Sequence, residues 1–387
     1  MHDRSLTLRQ LDDQGLLRQL VTIEQVQGPL VRLQGRWVVN WCSNDYLGLS
    51  RHPALVQAAA EAAAEWGVGA GGSRLLSGTT RWHAELEARL AAWFGAEDAI
   101  VYPSGYHANL GTLETMLSRD DAVIVDRLAH ASLIDAARAT KAAFRVFHHN
   151  DPQHARQVLA RSASAKRRVI VTEGVFSMEG DSPPLADLLE AAEAHDALLY
   201  CDDAHGAFVL GEQGRGTPEA QHVPHARLLY MGTLGKALGC QGGFVVGPKT
   251  VADYARNAAR TFIYTTAPAV PVVAAAAAAL GVLGREPEHR RRVQRQAARL
   301  HAGLAAAGIP VSASASHVVP IPVGATTRAV QLSTALWTRG HWARAIRPPT
   351  VPEGAARLRI GVTALHTDEQ IDQLVEALTH ELTRCNG

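Results

Sequence analysis

The stretch YMGTLGKALGCQGG, residues 230–243, places one lysine, Lys236, among Gly232, Gly235 and Gly239, directly after an apolar run. Of the 38 basic residues only four are lysines, at positions 141, 166, 236 and 249. A solvated cation in this chain is nearly always arginine, so a lysine between glycines needs a reason that arginine cannot meet. An amine can lose its proton near neutral pH and attack a carbonyl, whereas a guanidinium cannot. Lys166 in SAKRRV and Lys249 in GPKT read as surface lysines at helix ends.

Working outward, short apolar runs alternate with helix-period segments between residues 99 and 247. The strand candidates are AIVY, AVIVD, RRVIVTE, ALLYCDD, RLLYMGT and GGFVVG. The segments YHANLGTLETMLS, SLIDAARATK, PQHARQVLARS and PLADLLEAAEAHD between the earlier ones carry apolar residues at three-to-four spacing. This alternation predicts an α/β fold with a mainly parallel sheet covered by helices. Ligands in such sheets sit beyond the carboxyl ends of the strands. The segments at those ends are PSGYHAN, RLAHAS, GVFSMEGD, DDAHG and TLGK, all rich in polar residues and glycine.

A large domain is expected over 51–284, closed by the alanine-rich segment VVAAAAAALGVL at 272–283, which reads as a buried helix and is too short for the roughly 20 apolar residues of a membrane span. Residues 285–387 predict a smaller α+β domain, with HVVPIPVG, HWARAIRPPTV and ARLRIGVT as sheet segments and HTDEQIDQLVEALTHELTRC as a capped helix. Residues 1–50 form an expected arm with a hairpin over LVRLQGRWVVN, followed by WCSNDYLGLS. The N-terminus shows no apolar signal core, and cytoplasmic placement is expected.

With 387 residues and 47% hydrophobic content the chain can bury a large core. Its net charge of +1, with arginines spread along the chain, gives no nucleic-acid footprint. HRRRVQRQAAR reads as the solvated face of a helix. Cys42, Cys201, Cys240 and Cys385 show neither a C-x-x-C pair nor zinc-type spacing, so reduced thiols and no metal are expected. GVGAGG at 67–72 fits a dinucleotide fingerprint, but it follows the helical HPALVQAAAEAAAEW instead of a strand and reads as a flexible loop facing substrate. GTLGKA departs from a phosphate loop because alanine follows Lys236 where a magnesium-binding Ser or Thr belongs. DDAH without a second cluster is no metal site, and His148 and His149 read as solvated loop residues after a strand.

A lysine that condenses with an aldehyde cofactor needs partners, and pyridoxal phosphate makes the list specific. Its ring nitrogen stays protonated only beside a carboxylate. Asp202, at the end of ALLYC, is placed for that, with Asp203 the alternative if the strand register differs by one. The phosphate needs amides at a helix start and hydroxyls, offered by Ser104, Gly105 and Tyr106 and by Thr233. His130 in LAHAS is a candidate to stack on the ring, and His205 to hydrogen-bond its phenolic oxygen. Either histidine taken singly would read as a satisfied buried or loop residue; five strand-end loops supplying the right types together favour the site.

At this point the residues resemble a family, the α-oxoamine synthases, fold type I pyridoxal phosphate enzymes that join an amino acid to an acyl thioester and lose carbon dioxide. The motifs are SNDYLGLS, GGSRLLSGTT, PSGYHAN, AHASLIDA, TEGVFSMEGD, DDAHG, TLGKALG, IYTTAP and IRPPTVPEGAARLRIGVT, spread from about residue 15 to the C-terminus. The resemblance implies a fold type I architecture: a seven-stranded-type, mainly parallel sheet between helices, a smaller C-terminal domain and an N-terminal arm. It implies that Lys236 holds the cofactor, Asp202 pairs with the ring nitrogen and His130 stacks on the ring. His205 and Ser177 would serve the phenolic oxygen, and Gly105, Tyr106 and Thr233 the phosphate.

A homodimer with shared sites is implied, Thr265 and Thr266 reaching the partner subunit's phosphate. Arg359 and Asn44 would meet the substrate carboxylate, and Arg18 the acyl substrate. IRPPTVP with Thr350, the short N-terminus and the length fit the branch that joins L-alanine to a pimeloyl thioester, carried by coenzyme A or an acyl carrier protein. Relatives using glycine or serine with another acyl-CoA are the alternative. An aminotransferase would share the lysine and aspartate but would accumulate the amine form of the cofactor with an amino acid alone. A cofactor-binding regulator would need a fused nucleic-acid-binding module, and no such segment or basic patch is visible.

Overall fold

The computed structural model describes residues 4–311 and 316–384. Cys385 therefore lies outside the described residues. The chain divides into two compact units: Asp45–Ser177 with Ser182–Arg291, and Met1–Asn44 with Met178–Asp181 and Arg292–Gly387. The arm expected over 1–50 thus shares a unit with the C-terminal region as far as residue 44.

The larger unit is built on seven strands: β1 (Asp98–Tyr102), β2 (Ala122–Asp126), β3 (Ala143–Phe147), β4 (Arg168–Glu173), β5 (Ala197–Asp202), β6 (Leu229–Thr233) and β7 (Gly243–Gly247). They form one sheet in the order β1-β7-β6-β5-β4-β2-β3. The pairs β6/β5, β5/β4, β4/β2 and β2/β3 are parallel, while β7 runs antiparallel to both β6 and β1. The reason lies in the connections. Helices such as Gly105–Met116, Ala131–Ala139 and Leu185–Glu193 separate the parallel strands, whereas residues 234–242 between β6 and β7 are too few for a crossover. β2 is buried along its whole length, as a strand covered on both faces must be.

Six of the strands coincide with the apolar runs. β3 was not among them: at one edge of the sheet it leaves Arg145 and Val146 exposed, and Arg145 interrupts its apolar run. The expectation for His149 is also corrected. Its side chain is 16% exposed, its Nδ1 lies 2.9 Å from Oδ1 of the fully buried Asp126, and its ring stands edge-on to Phe176. His148 is exposed and stacks on His154.

The alanine-rich segment forms the helix Val270–Arg285, with Pro271 in its first turn and ten buried residues. Among the described residues no single helix is long and apolar enough to cross a membrane.

In the other unit, Leu30–Leu33 and Arg36–Asn40 form the expected hairpin, turning through Gln34 (φ 50°) and Gly35 (φ 76°), the two positive values a type I′ turn requires. Gln25–Gln27 extends this hairpin on one side and His341–Trp342 on the other. A second sheet is formed by Val318–Gly324, Ala356–Gly361 and Ala345–Ile346. The helix Asp368–Arg384 begins with a reciprocal cap, Gln370 N–H donating to Thr367 Oγ1 and Thr367 N–H to Gln370 Oε1.

Candidate active site

The carboxyl ends of β1, β4, β5 and β6 bring Ser104, Glu173, Asp202 and Thr233 to one edge of the sheet. Lys236 stands on the tight connection from β6 to β7. Leu234 N–H donates to Gly242 O at 3.0 Å, Cys240 N–H to Leu234 O at 2.9 Å and Gly239 N–H to Lys236 O at 2.9 Å, so the loop is held at three points. The glycines of this loop meet protein atoms: Gly239 has φ +65°, and a Cβ there would lie 2.3 Å from Ser50 N. At Gly232 a Cβ would strike the Phe244 ring at 2.4 Å.

The half-buried Lys236 directs its Nζ to within 2.8 Å of His205 Nε2, and His205 Nδ1 lies 2.6 Å from the hydroxyl of Tyr46. Tyr46 is fully buried and was not among the expected site residues, although it lies inside SNDYLGLS.

Asp202, 5% exposed, accepts from Asn109 Nδ2 at 2.7 Å and from Ala204 N–H at 3.0 Å. Asp203 is buried elsewhere, accepting from Thr217 N–H, Thr217 Oγ1 and Tyr230 Oη at 2.7–2.9 Å. Burial pushes the Asp203 carboxyl up to about 7.

His130 caps the helix Ala131–Ala139, its Nδ1 accepting Ser132 N–H at 3.2 Å. Desolvation is the largest influence on its pKa and lowers it; Asp202 opposes this and the Lys236 cation adds to it. The buried Glu173 ties two loops together, accepting His130 N–H at 2.7 Å on one oxygen and Ser177 N–H at 3.3 Å on the other. Burial, followed by the Asp202 charge, drives its pKa well above the usual range. Glu173 too was missed, though it lies in TEGVFSMEGD.

Ser104 caps the helix Gly105–Met116, accepting His107 N–H at 3.2 Å. Gly105 and Tyr106 therefore open a helix whose first amides have no intrahelical acceptor, the arrangement that suits a phosphate. A Cβ on Gly105 would lie 2.9 Å from Met231 and 3.9 Å from Thr233, so this helix head abuts the end of β6. The Thr233 hydroxyl closes the lysine loop, donating to Gly242 O at 2.8 Å and accepting Gly235 N–H at 3.1 Å. The Tyr106 side chain turns outward to Asp135. Thr265 and Thr266 follow the helix Arg260–Ile263, where Thr266 pairs with Ser73 and Ala267 N–H donates to Gly72 O; the loop at 67–72 thus packs on this segment.

In the other unit, the Arg359 guanidinium donates to Asn44 Oδ1 at 3.1 and 3.2 Å, and Arg18 Nη2 donates to Thr350 Oγ1 at 3.0 Å. Two further arginines hold the chain next to Arg18: Arg344 donates to Gln19 O at 3.2 Å, and Arg347 to the carbonyls of Gly15 and Leu17. Both belong to HWARAIRPPTV.

Other clusters are structural. Cys42, Cys201 and Cys240 are free thiols, and burial pushes Cys42 up to about 11 and Cys240 to about 12. Ligand atoms of His52, Glu286 and His289 lie within 4.8 Å of one another. His52 Nδ1 accepts Ala54 N–H at 3.2 Å, so in the neutral ring Nε2 carries the proton and faces Glu286 as a donor, unlike a metal ligand.

A lysine amine, a buried carboxylate three residues ahead of a histidine, and a helix head beside a threonine form the donor set that pyridoxal phosphate requires. Fold and site together define a fold type I pyridoxal phosphate transferase. The family model for aminotransferase class I and II matches residues 36–378. The chain belongs to this family and, within it, to the α-oxoamine synthases. It is 45% identical over 371 residues to 8-amino-7-oxononanoate synthase of Anaeromyxobacter sp. (strain K), covering 96% of this chain and 93% of the relative. Identity to the enzyme of that name from Chromobacterium violaceum is 43%, covering 98% of each. Among solved structures, serine palmitoyltransferase from S. paucimobilis with bound PLP–myriocin superposes with a TM-score of 0.94 at 30% identity, covering 100% of this chain and 98% of that one. The 8-amino-7-oxononanoate synthase of Francisella tularensis gives 0.79 at 27%, covering 90% and 99%.

Proposed function

We propose that this chain joins L-alanine to a pimeloyl thioester, carried by coenzyme A or an acyl carrier protein. The products are 8-amino-7-oxononanoate, carbon dioxide and the free thiol, a step of biotin biosynthesis in the cytoplasm. The observation that carries this reading is the identity of 45% and 43%, along nearly the whole of both chains, to relatives named for that product.

Pyridoxal phosphate, when bound, supplies the aldehyde that captures an amine and a ring that takes up electron density from the reacting carbon. Lys236 holds it covalently between turnovers. The Lys236 amine, when free, would take the alanine Cα proton, with His205 2.8 Å away to share a hydrogen bond with that nitrogen. Asp202 would hold the proton on the ring nitrogen, and His130 would stack on the ring. His205 and Ser177 serve the phenolic oxygen; the helix head at Ser104, Gly105 and Tyr106, with Thr233, receives the phosphate.

The deprotonated Cα attacks the thioester carbonyl, the C–S bond breaks, and the thiolate leaves and is protonated. The bond to the carboxylate then breaks, releasing carbon dioxide, and Lys236 returns the proton to carbon. Arg359 and Asn44 are assigned to the alanine carboxylate, Arg18 and Thr350 to the acyl substrate. Thr265 and Thr266 are assigned to the phosphate in the partner subunit of a homodimer.

A second reading, a synthase using glycine or serine with another acyl-CoA, is favoured by the TM-score of 0.94 to serine palmitoyltransferase. Thiol release from pimeloyl-CoA, compared with L-alanine, glycine and L-serine, separates the two. Alanine-dependent release supports the first reading. Release with glycine or serine alone supports the second. No release by protein that visibly holds its cofactor turns the search to carrier-protein thioesters and other acyl donors.

A further inference from the structure

Asn109, 1% exposed on the helix Gly105–Met116, bonds directly to Asp202 and has no role in the steps above. Its Nδ2 donates to Asp202 Oδ2 at 2.7 Å and to Ser132 Oγ at 2.9 Å, and its Oδ1 accepts the Tyr200 hydroxyl at 2.8 Å. The chemistry of the partners fixes which way the amide faces. An ionised carboxylate only accepts, so it must meet the NH2 group. The Tyr200 hydroxyl, kept protonated by complete burial, donates to the oxygen. A carboxamide does not titrate, so both N–H bonds persist at every working pH.

Ser132 extends the chain. Its Oγ receives the Asn109 hydrogen, which leaves its own hydrogen for His130 Nδ1 at 2.8 Å. The Ser132 N–H donates to the same nitrogen at 3.2 Å. A ring nitrogen that accepts from two donors carries no proton, so neutral His130 bears its proton on Nε2.

We propose that Asn109 is a positioning residue that holds, through one carboxamide, both the Asp202 carboxylate and, by way of the Ser132 hydroxyl, the acceptor nitrogen of His130. The group assigned to the cofactor's ring nitrogen and the group assigned to its ring face are thereby tuned together. This rests on the roles given above to Asp202 and His130. Other charged or titratable groups acting on these two are Lys236, Glu173, Asp203, Asp135, Cys201, Tyr200 and Tyr230. None of these charges is removed when Asn109 is replaced, so a variant at 109 reads its hydrogen bonds.

The test is a pH titration of the visible absorbance of the bound cofactor in the holoenzyme, without substrate. Loss of a charge-assisted hydrogen bond makes Asp202 a stronger base, which draws the proton away from the ring nitrogen. A less cationic ring makes the imine nitrogen more basic. Asn109→Ala therefore raises the midpoint by about one pH unit. Tyr200→Phe, nearly equal in volume, raises it in the same direction by less and decides the question alone if Asn109→Ala fails to fold. Ser132→Ala leaves the midpoint in place and moves the acidic limb of the kcat/KM profile.

Asp202→Asn is measured alongside. If it moves the midpoint while Asn109→Ala and Tyr200→Phe leave it unchanged or lowered, the proposal for Asn109 is overturned and the role of Asp202 stands. If Asp202→Asn has no effect either, the assignment of Asp202 falls and the proposal with it. A Ser132→Ala profile identical to wild type overturns the His130 half.

Discussion

The Lys236 ε-amine lies 2.8 Å from His205 Nε2, and the opposite nitrogen of that imidazole lies 2.6 Å from the hydroxyl of Tyr46. The amine is thus held at the end of a buried relay whose far member is 159 residues away from its middle one. Arginine in its place would keep the positive charge and lose the chemistry. Lys236→Arg and Lys236→Ala should both fold, and both should lose covalent attachment of the cofactor. Turnover should fall by at least about 10²–10⁴-fold from the lost proton transfer alone. Thiol release and the mass of the borohydride-reduced protein measure the two effects; turnover near wild type in either variant would remove Lys236 from its role.

Arg359 and Asn44 make two hydrogen bonds in the smaller unit. If this guanidinium meets the alanine carboxylate, Arg359→Ala should raise KM for alanine by roughly 10- to 100-fold, the worth of one or two charge-assisted hydrogen bonds. Affinity for pyridoxal phosphate should stay as in wild type. Equal losses in both would point to a structural role.

Arg74, in GGSRLLSGTT, is buried against Glu87 with two N–O distances of 2.9 and 3.0 Å, and Glu87 Oε1 also accepts Val101 N–H at 2.9 Å. The pair therefore fastens the loop after residue 72 to β1 and to the helix Arg81–Phe94. Glu87→Gln leaves a buried guanidinium without its counter-charge, and should cost about 3–5 kcal/mol in denaturant unfolding. A loss below about 1 kcal/mol would show that the cation finds another partner.

His366 is fully buried and stacks on Trp41 at 4.0 Å, its Nδ1 accepting Thr363 N–H and its Nε2 donating to Asn40 O. Both nitrogens are satisfied only in the neutral ring, and burial lowers the pKa from 6.5 to about 4. The unfolded chain takes up this proton first. Stability is therefore complete above about pH 6.5 and falls as the pH drops towards 4, by roughly 3 kcal/mol from this residue. His83, lowered to about 4 by burial and then by Arg74, acts in the same direction. Unfolding of wild type and His366→Gln at pH 7 and pH 4.5 checks this: the variant should be weaker at pH 7 and lose less on acidification. Parallel losses would mean that His366 does not titrate in that window.

Much of the sheet was legible because a strand covered on both faces must be apolar along its length, and six such runs stand out. β3 was not, since it leaves Arg145 and Val146 exposed and the arginine breaks its apolar run. His149 was misjudged for a related reason: its neighbour His148 is solvated, and only the fold turns one of the two onto Asp126 and Phe176. Nor did the glycines around Lys236 declare their neighbours, which prove to be Ser50 and Phe244.

By itself the sequence determined the chemistry available: one lysine among glycines in an arginine-rich chain, an aspartate at a strand end, histidines and hydroxyls on the loops beside it. Residue type and strand or helix period are local properties, and local properties can be read from neighbours in the chain. Which groups share a hydrogen bond is not local. Asn109 reaches Asp202 across 93 positions, and Tyr46 reaches His205 across 159, because sheet order and helix packing bring them within 3 Å at the correct angle. Distance and direction at that scale are set by the whole fold. The tertiary structure alone therefore decided that Asp202 and not Asp203 has the amide beside it, and that a tyrosine and an asparagine stand behind the residues the sequence had singled out.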